Sequence, residues 1–171
     1  PIDVLFKYGR TWTPREPTGW GKDIATEYAL AVRTGQPYII HLAEGIDQET
    51  AQEMDVLLEA DALGRNTMIV HGIALRHEDM QAMAKVGASI CWCPSSNLYL
   101  YEQTANIPAL LDSGINITLG TDSSLSGDVN LLEELRTAWR VLNHDLFADP
   151  NRRAQWLVES VTTRAAYALL R

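Results

Sequence analysis

Tyr38-Ile39-Ile40-His41-Leu42, followed at once by Ala43-Glu44, is the stretch from which the rest of the chain can be read. Five apolar or ring-bearing residues in a row make a strand-length run with no solvent-facing alternation, the pattern of a strand buried on both faces. Gln36-Pro37 leads into it. Before that, Asp23 opens and Gly35 closes a helical run over 24–33. Outward from this unit the pattern repeats. Asp47 caps a helix predicted over 48–63, with Met54, Leu57, Leu58 and Ala62 on one apolar face and Glu49, Glu53 and Glu59 toward water. Further strands are predicted at 67–71, 88–93 and 116–119, with helices at 78–86 and 107–113 that stop at Gly87 and Gly114.

The strand units start at 37, 67, 88 and 116, so 30, 21 and 28 residues separate them, and each gap holds a helix. Alternation of this kind gives an α/β fold with a parallel sheet covered by helices. Periodicity leaves open a doubly wound sheet or part of a (β/α)8 barrel. No Gly-rich phosphate loop follows any strand, which counts against a nucleotide-binding doubly wound fold. Downstream, Asn130 with Glu133 opens a helix over 131–142, and Pro150 opens a last helical region broken near Thr162. Residues 1–22 read as a strand end at 4–6 and a loop holding Trp12 and Trp20. Residues 23–171 read as one continuous α/β unit.

Composition removes several classes of function. The chain has 171 residues and a formal charge of −8, so its surface repels nucleic acid and anionic membrane. No apolar run reaches the ~18 residues of a membrane span, and Pro1-Ile2-Asp3-Val4 lacks a secretory layout. Cys91 and Cys93, the two cysteines, stand too close for a structural disulfide, and a cytoplasmic location is expected. Small buried thiols describe them better than a zinc pair.

Every strand ends in a polar cluster: His41-Leu42-Ala43-Glu44, His71-Gly72, Cys93-Pro94-Ser95-Ser96-Asn97 and Gly120-Thr121-Asp122-Ser123. In parallel α/β folds the loops converge at that edge and build the active site. Taken singly, His41 reads as a satisfied core histidine and Asp122 as a turn residue. Two histidines, a glutamate and an aspartate on three strand ends are hard to explain as packing, since buried charge needs a partner or a metal. His77 and His144 read as solvated or capping. Trp92, Tyr99, Tyr101 and Trp139 read as core or pocket wall.

These four motifs, in this order, resemble the amidohydrolase superfamily in its cytosine-deaminase-like branch. That branch holds adenosine-derivative, guanine and triazine deaminases and chlorohydrolases. The resemblance runs from about Asp23 to the end of the chain and includes Val161-Thr162-Thr163-Arg164-Ala165-Ala166-Tyr167. It implies the second half, strands five to eight, of a (β/α)8 TIM-type barrel. It also implies one divalent metal, zinc first and iron as the alternative. By this resemblance His41 and Asp122 are metal ligands, Glu44 is the proton shuttle, and His71 contacts the hydroxide or the substrate carbonyl. Asn97 and Ser123 position substrate or loop. The implied reaction is hydrolytic deamination of a small heterocycle by metal-activated hydroxide.

The chain departs from the family in two ways. It contains no His-x-His, the ligand pair the family places on strand one, and it lacks the flanking β-rich domain. A fragment is therefore expected, inactive alone, holding metal weakly or not at all, and completed by the missing N-terminal half or a second copy. Lys7 sits near the position of a bridging lysine in binuclear relatives, but Glu44 after His41 favours the mononuclear type. The alternative is a non-catalytic half-barrel with a structural or assembly role.

Overall fold

The computed structural model describes residues 9–11, 14, 23–142 and 146–171. Lys7, Trp12, Trp20, His144 and the strand expected at 4–6 lie outside them. Among the described residues, five strands stand side by side in chain order: β1 (Gly9–Thr11), β2 (Tyr38–Leu42), β3 (Thr67–His71), β4 (Ser89–Trp92) and β5 (Asn116–Leu119). Every neighbouring pair is parallel. The order never reverses, as it must at the switch point of a doubly wound sheet.

Helices fill the gaps: α1 (Ile24–Thr34), α2 (Gln48–Ala51), α3 (Glu53–Glu59), α4 (His77–Val86), α5 (Pro94–Tyr101), α6 (Ile107–Asp112), α7 (Leu131–Val141), α8 (Pro150–Ser160) and α9 (Thr163–Ala168). One face of the sheet supplies Tyr38, Ile40, Leu42, Ile69, Ile90, Trp92, Ile117 and Leu119 to the main core. Register aligns His41, Val70, Cys91 and Thr118 across β2 to β5 on the other face. Among the described residues, no helix is long and apolar enough to cross a membrane.

Five local expectations change. The strand seen near the N-terminus is Gly9–Thr11, within the stretch read as loop; it pairs with the edge of β2 through its backbone, which needs no apolar run. The helix expected over 48–63 breaks at Gln52 into α2 and α3 and ends at Glu59. Glu53, expected in water, is buried, because its carboxylate turns inward and accepts the Ala43 N–H at 2.7 Å. Residues 94–101, read as part of a loop, form α5, with Pro94 at its first turn where a missing N–H costs nothing. Tyr99 on that helix is 72% exposed rather than core or pocket wall.

Candidate metal and catalytic site

The C-terminal ends of β2, β3 and β5 carry a shared backbone feature. Ala43, His71 and Asp122 have φ of 56°, 74° and 60°, the left-handed region that residues with a Cβ enter at a cost. Each strand therefore turns sharply as it leaves the sheet. At those turns the side chains of His41, His71 and Asp122 meet. One ligand atom from each lies within 4.8 Å of the other two. His41 Nε2 stands 3.9 Å from Asp122 Oδ1, and the two imidazole centroids are 5.3 Å apart. Glu44 adds a carboxylate oxygen 3.4 Å from His71 Nε2.

Neighbouring residues fix the orientation of two of these groups. His71 Nδ1 lies 2.8 Å from Asn97 Oδ1, and Asn97 Nδ2 donates to Thr104 Oγ1, which also accepts the Trp92 indole N–H. With Asn97 so oriented, the neutral ring carries its proton on Nδ1 and presents the Nε2 lone pair to the site. Burial pushes the His71 pKa down to about 4, against the opposing pull of Asn97 and Asp122. Nε2 is buried and makes no hydrogen bond. Ser96 Oγ and Ser126 Oγ hold Asp122 Oδ2 at 2.6 and 3.0 Å, which leaves Oδ1 for His41. Burial alone would raise the Asp122 carboxyl. The Ser96 hydroxyl, the facing His71 and Ser126 together hold it below its ordinary value.

Burial, with the charges of Asp122 and Glu53, pushes the Glu44 carboxyl up to about 7. A carboxyl poised there can hold or release a proton near neutrality.

The donor set suits a divalent ion. Two imidazoles and a carboxylate are ligands that zinc and iron accept. Around one ion, bonds of about 2.0–2.2 Å put neighbouring ligand atoms about 3–4 Å apart, close to the spacing seen. The bare, buried Nε2 of His71 is an atom that a cation would satisfy.

The structure thus brings together His41, Glu44, His71 and Asp122, with Asn97 directly behind His71. Ser123 is exposed; its Oγ accepts the Leu125 N–H and its carbonyl the Gly127 N–H, shaping the loop after β5. His77 is an exposed first residue of α4, bonded to Gln81. Sequence reasoning missed His71 as a third candidate ligand, placed Ser96 in a strand-end cluster without a role of its own, and gave Glu53, Ser126, Asp128 and Glu134 no part in the site. Serines and acids in loops are too common to single out without their contacts.

Known proteins share this fold. A 5-methylthioadenosine/S-adenosylhomocysteine deaminase of Halobacterium salinarum is 26% identical over 167 residues, covering 92% of this chain and 39% of the relative. A zinc-bound adenosine deaminase from Xanthomonas campestris superposes with a TM-score of 0.77 at 22% identity, over 94% of this chain and 38% of that one. A zinc-bound atrazine chlorohydrolase from Arthrobacter aurescens gives 0.70 at 20% identity, over 86% and 35%. The chain spans about two-fifths or less of each of these proteins. The amidohydrolase family profile matches residues 26–169, and the chain belongs to that family.

Proposed function

We propose that the protein carrying this chain hydrolyses a C–N bond in a small heterocyclic substrate, releasing an amine, with one divalent cation. In this reading the chain is the second half, strands five to eight, of a (β/α)8 barrel. The observation that carries it is the convergence of His41, His71 and Asp122 ligand atoms within 4.8 Å, with Glu44 3.4 Å from His71. The deaminase relative and the zinc-bound neighbours support the reaction class and the metal.

His41 and Asp122 hold the cation, zinc first and iron as the alternative, and His71 Nε2 faces the same point. A cation there supplies a nucleophile from water near neutral pH, because binding lowers the water pKa to about 7. Asp122 Oδ1 accepts a proton from that water, while its Oδ2 stays held by Ser96 and Ser126. His71 is neutral, and its Nε2 acts as acceptor or ligand; this narrows the role expected for it to the hydroxide side. Glu44 takes up a proton and delivers it to the leaving nitrogen. Two free thiols, Cys91 and Cys93, suit a cytoplasmic location.

The test is ammonia release from aminopurine substrates by the intact protein, with zinc content measured beside it. Zinc-dependent release is expected. Release that persists after complete metal removal would overturn the metal reading. A second reading, a non-catalytic half-barrel, rests on the lack of His-x-His in these 171 residues. Intact protein that binds no metal and turns over nothing would favour it.

A further inference from the structure

The first turn of α5 connects two layers of the molecule. Its Pro94 has no N–H, and the residue before it, Cys93, makes no side-chain cap. The free N–H of Ser95 is one of the orphan donors at a helix start and needs an acceptor. It finds one on another helix, since Glu134 Oε1 of α7 accepts it at 2.9 Å. Ser95 Oγ donates to Asp128 Oδ2 at 2.5 Å, and Thr137 Oγ1 of α7 donates to the same oxygen at 3.2 Å. Glu134 is fully buried, and its Oε2 accepts no hydrogen bond. A buried carboxyl with one idle oxygen costs stability, and such a group calls for a role beyond packing.

Through Ser95 it fixes the turn that carries the next two residues. Ser96 bonds Asp122 Oδ2, and Asn97 faces His71 Nδ1. A shift of this turn would move both contacts at once.

We propose that Glu134 and Asp128 are positioning residues that clamp the first turn of α5 through Ser95. The clamp lets Ser96 and Asn97 set the carboxylate rotamer of Asp122 and the tautomer of His71. The proposal rests on the metal-site reading above and deepens it. It uses a carboxylate pair outside the His41, His71 and Asp122 ligand set.

The experiment uses the intact protein with zinc alone as the probe. Glu134→Ala should weaken zinc binding, read by chelator competition, by about tenfold, the usual scale for residues that orient metal ligands. Ser96→Ala should do the same. The double variant should lose little more than either single, because the two act along one chain of contacts. Glu134→Gln keeps an acceptor for Ser95 and should restore most of the affinity. In zinc-free protein, ring nitrogen shifts should report Nδ1–H at His71 in the parent and a tautomer mixture in Glu134→Ala. A Glu134→Ala protein with a lowered melting point but parental zinc affinity and parental His71 shifts overturns the clamp, as do losses that multiply in the double variant. If Glu134→Ala does not fold, Ser95→Ala and Asp128→Ala carry the same test, and parental affinity and shifts in both overturn it. If the parent binds no zinc but its His71 tautomer still depends on Glu134, the clamp stands and the metal reading falls.

Discussion

The two edges of the sheet use the same backbone conformation for opposite ends. At the N-terminal edge, helix-to-strand turns place Gly35, Gly87 and Gly114 at φ of 64°, 75° and 73°. Polar groups there close on backbone: Thr67 Oγ1 donates to the Ala62 carbonyl, Asn116 Nδ2 to that of Arg164, and Arg65 Nη2 to that of Tyr167. One residue with a side chain, Asp61, joins them at φ 50°, and Asp tolerates that region better than most. At the C-terminal edge the left-handed positions include Ala43, His71 and Asp122, and the polar side chains beside them face one another. Glycine would relieve the strain at each and would abolish the imidazole or carboxylate at two of them. Strain kept where side chains converge, and relieved where they do not, separates an edge built for stability from one built for chemistry.

Two substitutions break this contrast most severely. In the intact protein, His41→Ala should strip the bound metal and lower turnover by roughly 10³-fold or more, on the scale of several kcal/mol of Lewis-acid assistance. Glu44→Gln should keep the metal while turnover falls by about 10²-fold or more, the contribution of a positioned acid/base group. Elemental analysis beside a rate measurement separates them. Metal lost in Glu44→Gln and retained in His41→Ala would reverse the assigned roles.

Most of this contrast was legible in the sequence, and the failures have common causes. Unbroken apolar runs such as Tyr38 to Leu42 announce a strand, and a histidine at its end becomes conspicuous beside His71 and Asp122 at the ends of other strands. Glycine stops at 35, 87 and 114 mark one edge as plainly as His71 and Asp122 mark the other. What stayed hidden depends on contacts between elements distant in sequence. Glu53 looks like one more surface glutamate on an amphipathic helix until Ala43, ten residues earlier, turns its N–H toward it. Glu134 is separated by 39 residues from the Ser95 amide it serves. The tautomer of His71 depends on Asn97 and Thr104, which no local pattern couples.

A third, intermediate effect belongs to Glu53, which supports the C-terminal edge from below. Its carboxylate accepts the N–H of a left-handed Ala43 in a buried setting. Glu53→Ala should cost about 2 kcal/mol of unfolding free energy, the range for a hydrogen bond to a charged group. Glu53→Gln should recover part of it. Urea melts of the parent and both variants measure the loss. Parental stability in Glu53→Ala would mean that the Ala43 amide finds another partner.

The smallest effect tests the comparison most directly, because it changes only backbone freedom. A Cβ built on Gly114 meets nothing within 4 Å, so Gly114→Ala adds no clash, and its cost is the left-handed φ of 73° alone. That substitution should destabilise by about 1 kcal/mol, since alanine pays the left-handed penalty while gaining only part of it back through a less flexible unfolded chain. Ala43→Gly is the mirror experiment at the other edge. It relieves a left-handed penalty of about 1–2 kcal/mol, adds an unfolded-state entropy cost of about 0.5–1 kcal/mol and removes a methyl group buried in the core, worth about 0.8 kcal/mol, so the variant should stay close to the parent in stability. Gly114→Ala should lower stability where Ala43→Gly leaves it near parental, and Gly114→Ala should leave zinc affinity unaltered. Ala43→Gly should weaken zinc binding by a few-fold, because freeing the turn after His41 loosens the approach of the first ligand. An Ala43→Gly protein of clearly lower stability would show that the turn at Ala43 is not strained, and the two edges would then differ in side chains alone.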